Sequence, residues 1–289
     1  MASASASAPA LGVYRTAVHG LPSEVLHLRA RVARAARHVL FFPGDVQMRR
    51  AEMAADLRGG TDEWQRFSLD DSLPALQAAF GADAHVWCLR PARMVYQFAC
   101  YQQFASVNLL GAAEYKPDAA RAGTGIAAVF AAAAEQAEAA GELRAGEGAA
   151  LPLALVGFSK GVVVLNQLAA ELGAREPAAC ALVARVAELH FVDGGNGAER
   201  GAFPLGAAAL DALAGAGTRL RIACHSTPYM LRSAKQPWGA AVEVLDYFAH
   251  EPPSLARHFE ALGAMRVGGR AGGGAAAAPA AGGGDGPPV

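Results

Sequence analysis

Five consecutive residues, Gly157-Phe158-Ser159-Lys160-Gly161, restrict this chain more than any other stretch. The apolar run Leu153–Val156 leads into them, short enough for a buried strand. Val162, Leu165, Leu168 and Ala169 lead out at helical spacing. The order is therefore strand, tight turn, helix, and two glycines let strand and helix approach more closely than side chains would allow. A serine at the centre of such a turn is held above the end of its strand, which is the geometry of a nucleophile elbow. An ordinary junction with a helix-capping serine has the same five-residue pattern. The strand and helix periodicities on either side favour the elbow.

The rest of the chain predicts the sheet that an elbow needs. Tyr14–Val18, Glu24–Arg29, His38–Phe42, His85–Leu89, Glu188–Val192, Arg219–Cys224 and Val242–Phe248 read as further strands. Leu73–Phe80 reads as a helix, and other helical segments separate the later strands. Such alternation builds right-handed crossovers and a mainly parallel sheet, so the expected class is α/β, an α/β-hydrolase-like fold. No linker or repeat divides residues 11–266, which are expected to form one domain. Residues 1–10 (Ser/Ala-rich) predict a flexible tail. Residues 267–289, Gly, Ala and Pro with few large side chains, predict a disordered one.

Bulk properties remove several functions. The net charge of −1 gives no electrostatic footprint for nucleic acid. No uninterrupted apolar run reaches the roughly 18 residues of a membrane span. Cys88, Cys100, Cys180 and Cys224 are scattered without CxxC spacing, so core thiols are expected rather than zinc ligands or a disulfide framework. No metal or organic cofactor is implied. No G-x-G-x-x-G or G-x-x-x-x-G-K-[ST] follows a strand, which disfavours nucleotide binding.

In parallel sheets ligand chemistry gathers at the carboxyl ends of the strands. A serine nucleophile there needs a base, and the base needs an orienting acid. Asp193 ends an apolar strand and precedes Gly194-Gly195, so it is the candidate acid, although Asp-Gly-Gly also suits a plain turn. His258 follows the last strand and is the favoured base by position, with His225 the alternative and His250 a third choice. The oxyanion donors are expected to be the Lys160 N–H and that of Asp45 or Val46, in the loop after His38–Phe42. The Asp45 side chain is expected either to cap a helix starting near Val46 or to pair with Lys160. Lys160 itself either favours the anionic intermediate or points to solvent. Tyr96, Phe98, Tyr101 and Phe104 are expected either to wall an acyl pocket or to cover the sheet.

Several segments together resemble one family. They are residues 38–47, 157–168, Phe98–Tyr101, Gly111–Glu114, Asp193-Gly194-Gly195, His225-Ser-Thr-Pro-Tyr229, Pro253-Ser254 and His258-Phe259. They are similar, in this order, to the family of the human mitochondrial protein chromosome 2 open reading frame 69. The resemblance implies an α/β-hydrolase-like fold and serine hydrolase chemistry on an unassigned substrate. It carries Ser159, Asp193 and His258 onto the triad and keeps His225 in a His-x-Thr-Pro-Tyr motif. It also implies a mitochondrial setting, although residues 1–10 carry no Arg-rich presequence. The expected partner is a small acyl substrate, an ester or thioester. The competing expectation is a catalytically silent member of the fold that binds protein partners or an acyl ligand, in a binding or scaffolding role.

Overall fold

The computed structural model describes residues 11–56, 61–109, 112–194, 207–215, 220–231 and 242–267. Most of the predicted tails, residues 1–10 and 268–289, lie outside the described residues. Eight strands form the main sheet: β1 (Gly12–Val18), β2 (Leu21–Leu28), β3 (Arg37–Phe42), β4 (Ala84–Leu89), β5 (Leu153–Phe158), β6 (Val186–Val192), β7 (Arg221–Ser226) and β8 (Val242–Asp246). Each matches a strand expected from sequence within a few residues. The order across the sheet is β1-β2-β4-β3-β5-β6-β7-β8. The β1–β2 and β2–β4 pairs are antiparallel; the other five are parallel. The β1–β2 turn is His19-Gly20, both with positive φ, the backbone that lets two residues reverse a twisted strand.

Both faces of the central strands are buried, and the alternation is clean. Leu40 and Phe42 of β3 and Leu153 and Leu155 of β5 join one apolar cluster. Val39 and Phe41, and Ala154, Val156 and Phe158, join the other. The period of two in side-chain direction sorts them. The helices α1 (Leu69–Phe80) and α5 (Leu255–Ala264) pack together on the second face. On the first face lie α2 (Arg121–Ala139), α3 (Val162–Gly173) and α4 (Pro177–Val183). This is an α/β-hydrolase-type architecture, a mostly parallel sheet with helices on both sides.

The strand order also locates the site. From β3 the chain crosses to β4 on one side, then returns to β5 on the other. The loops leaving β3 and β5 meet at this switch point, the place where ligand sites gather in such sheets. Ser159 follows β5 there, and Gly44 to Gln47 follow β3.

Two further hairpins, Arg93–Val95 with Phe98–Cys100 and Ser106–Val107 with Ala113–Glu114, project between β4 and α2. No helix among the described residues is long and apolar enough to cross a membrane.

Candidate active site

Ser159 leaves the fully buried β5 through a single 3-10 turn, Ser159–Gly161, and α3 begins at Val162. Its φ is +50°, a left-handed backbone that side chains other than Gly, Asn and Asp rarely adopt. Such strain persists only where the surroundings over-determine it. Here the constraint comes from the loop after β3. A Cβ on Gly161 would lie 1.9 Å from the Phe42 carbonyl oxygen, and one on Gly44 would lie 2.8 Å from the Ser159 Cβ. The elbow and that loop thus touch backbone to backbone, which only glycine permits.

The loop is braced from two sides. Gly44 N–H donates to Gln47 Oε1 at 2.9 Å, and Gln47 Nε2 donates to Ser72 Oγ at 3.0 Å. From the other side, Tyr101 donates its hydroxyl to the Pro43 carbonyl at 2.6 Å.

Asp193 directly follows β6 with φ +46°, and its N–H donates to the His225 carbonyl at 2.7 Å. Its carboxylate is completely buried and fully engaged. Oδ2 meets His258 Nδ1 at 2.6 Å and accepts the Thr227 hydroxyl at 2.6 Å. Oδ1 accepts the Thr227 N–H at 2.9 Å. His258 sits in the first turn of α5, whose start is capped by Ser254 Oγ accepting from Arg257 N–H at 3.1 Å. The imidazole lies between two rings, Phe158 and Tyr229, each 4.7 Å away between centroids. Phe158 is the residue before Ser159, so His258 is packed against the Ser159 turn itself. In a neutral ring, Nδ1 donating to the carboxylate leaves Nε2 as the acceptor, the tautomer a general base requires.

His225, the alternative base, is placed differently. It is buried with both ring nitrogens engaged, Nε2 with His190 Nδ1 and Nδ1 with the Tyr247 hydroxyl, each at 2.9 Å. Burial, and then the charges of His190 and Arg221, hold it well below the ordinary histidine range, so it is neutral. His225 is a core histidine and is dropped as a base. His250 is exposed on the turn after β8.

The oxyanion loop also needs correction. Val46 has φ +70° and donates its N–H to the Gln97 carbonyl at 2.8 Å, so that amide is already committed. The Asp45 and Lys160 amides remain. The Asp45 carboxylate neither caps a helix nor pairs with Lys160. The nearest helix starts at Arg50, and Asp45 Oδ1 accepts the Ala99 N–H at 2.7 Å. Burial raises the Asp45 pKa, while the Ala99 bond and the charges of Lys160 and His258 pull it back. Lys160 is half-buried and makes no ion pair among the described residues.

The four aromatic pocket candidates divide. Tyr101 and Phe104 are 1% and 0% exposed and pack with Phe42 in the core, so they wall no open pocket. Tyr96 and Phe98 are 79% and 39% exposed, on the hairpin tied to Asp45 and Val46. The four thiols are free, and burial pushes Cys88 and Cys224 up to about 12, too high for nucleophiles. Among the described residues no group of three His, Cys, Asp or Glu side chains is placed to hold a metal ion.

Sequence reasoning missed Gln47, Thr227 and Tyr229 as parts of this site. Thr227 and Tyr229 stand in the His225–Tyr229 motif, but nothing in its pattern says that they serve Asp193 and His258.

A family model described as C2orf69 matches residues 14–126 and 131–243, which include both the elbow and Asp193. The chain belongs to the C2orf69 family. A relative from Danio rerio, named a mitochondrial protein C2orf69 homolog, is 34% identical over 251 residues, covering 78% of this chain and 72% of the relative. The Homo sapiens mitochondrial protein C2orf69 is 23% identical over 283 residues, covering 77% and 72%. Among solved structures, an α-β serine hydrolase homologue from Coxiella burnetii aligns with a TM-score of 0.41 and 11% identity, over 82% of this chain and 86% of that one. Esterase Est22 aligns with a TM-score of 0.45 and 12% identity, over 89% and 76%. At these values the fold assignment rests on the strand order and the elbow, not on the likeness.

Proposed function

We propose that this C2orf69-family chain is a serine hydrolase acting on a carboxylic ester or thioester. The observation that carries the reading is the buried Asp193–His258 pair, bonded at 2.6 Å and packed through Phe158 against a left-handed Ser159. His258 Nε2 takes the proton of Ser159 Oγ as that oxygen attacks the substrate carbonyl carbon. The Lys160 and Asp45 N–H groups hold the resulting oxyanion, each such donor being worth about 3 kcal/mol in the transition state. His258 then protonates the leaving alkoxide or thiolate, the C–O or C–S bond breaks, and an acyl group remains on Ser159. Water, deprotonated by His258, releases the acid. Asp193 orients the imidazole and stabilises its cationic form throughout. The exposed Tyr96 and Phe98 stand on the hairpin tied to Asp45 and Val46, and they suit an acyl chain better than a charged substrate. The names of the relatives support a mitochondrial setting.

One observation favours a second reading, a catalytically silent binding protein. Ser159, Asp193 and His258 are 3%, 0% and 2% exposed, so substrate entry needs movement around them. Labelling of the purified protein with a fluorophosphonate separates the two. The hydrolase reading expects adduct on Ser159 and its complete loss in Ser159→Ala. A folded wild type that never labels, with or without detergent, favours the silent reading.

A further inference from the structure

We infer that Thr227 is a positioning residue that holds the orienting acid, so that the working unit is four side chains rather than three. The inference rests on the hydrolase reading for its catalytic meaning, although its geometry stands alone. Asp193 directly follows β6, His258 is on α5 and Thr227 lies just after β7, so three separate elements must agree on one carboxylate orientation. A carboxylate free to turn about its last bond does not fix an imidazole. Two bonds from one residue remove that freedom. The Thr227 N–H takes Oδ1 at 2.9 Å, and the Thr227 hydroxyl takes Oδ2 at 2.6 Å, the same oxygen that meets His258 Nδ1 at 2.6 Å.

The hydroxyl is itself aimed. A threonine hydroxyl has one proton, and here Oγ1 also accepts the Tyr229 N–H at 3.3 Å, which leaves the proton for Asp193. Thr227 is completely buried, so water does not substitute for its bonds. Two residues on, the Tyr229 ring lies 4.7 Å from the His258 ring and closes the imidazole against Phe158. One short segment, Thr227-Pro228-Tyr229, therefore fixes the acid by hydrogen bonds and the base by ring packing.

The test compares Thr227→Val with Thr227→Ser in the full chain. Valine keeps the shape and the backbone N–H but loses the hydroxyl, whereas serine keeps the hydroxyl. The first readout is the His258 Nδ1 proton in an NMR spectrum, expected downfield and protected from exchange while Asp193 holds it. Wild type and Thr227→Ser are expected to show that signal, and Thr227→Val to lose it. The second readout is fluorophosphonate labelling, expected on the order of tenfold slower in Thr227→Val and near wild type in Thr227→Ser, the scale of one charged hydrogen bond. An unchanged signal and rate in Thr227→Val overturn the inference. So does loss of both in a folded Thr227→Ser, which decides the matter if the valine variant fails to fold. A wild type that shows the NMR signal yet never labels defeats the hydrolase reading instead, and the NMR comparison still decides the role of Thr227.

Discussion

His258 and His225 both touch Asp193, one through its ring and the other through its carbonyl, and both are buried, yet the structure gives them different partners. His258 bonds a carboxylate through one nitrogen and packs against the elbow. His225, one strand over, spends both nitrogens on His190 and Tyr247. The interior network continues from His190 to Glu188 at 3.2 Å, and a second one joins His27 to His85 at 3.0 Å and to Glu142 at 3.1 Å. Burial alone thus does not distinguish a base from a core histidine. What distinguishes them is their partners: His258 Nδ1 meets a buried carboxylate, whereas His225 meets a second imidazole and a phenol.

The largest expected effect breaks the edge of the sheet where His258 works. Gly161→Ala drives a Cβ into the Phe42 carbonyl, a backbone atom that cannot swing aside. It should cost about 3 kcal/mol or more and abolish labelling, read by thermal melting and adduct formation. A variant that melts with wild type contradicts the packing. Acid breaks the other side. Burial, and then the charge of His38, push His27 down to about 3 from an ordinary value near 6.5. Between those values the unfolded chain binds the proton and the folded one does not. Stability is therefore whole above about pH 6.5 and falls as pH drops towards 3, by up to about 1.4 kcal/mol per pH unit for each such histidine. Urea midpoints at pH 7.5 and 5 check this, and equal midpoints contradict it. The smallest effect sharpens the edge. Asp45→Asn still accepts from Ala99 and keeps its amide, so labelling should stay within about threefold of wild type. A far larger loss would show that the carboxylate's charge matters.

The strands β3 to β8 were legible as short apolar runs bounded by turn residues, whereas β1 and β2, which carry Arg15, Thr16, Ser23 and Glu24, gave a weaker signal. Asp193 stood out by its place at a strand end, and His258 by its position after the last strand and by the family resemblance, with His225 and His250 as alternatives. The two small hairpins were not legible, since strands of two and three residues carry no periodicity. The aromatic run from Tyr96 to Phe104 left pocket wall and sheet cover open because a single run divides: Tyr101 enters the core and Tyr96 faces solvent. The Val46 amide looked available, but its partner, Gln97, lies 51 residues away on that same hairpin. Thr227 was invisible for a similar reason: its hold on Asp193 spans 34 residues and two strands.

The most direct test is a paired measurement of labelling rate on folded His258→Ala and His225→Ala. The account predicts that folded His258→Ala labels about a thousandfold more slowly, and that it also loses stability because the buried Asp193 carboxylate is left without its imidazole partner. It predicts that His225→Ala labels within a few-fold of wild type. That variant leaves His190 and Tyr247 with unpaired polar atoms, at about 1–3 kcal/mol for each group. If the rate collapses in His225→Ala and survives in His258→Ala, the base has been assigned to the wrong histidine and the account fails.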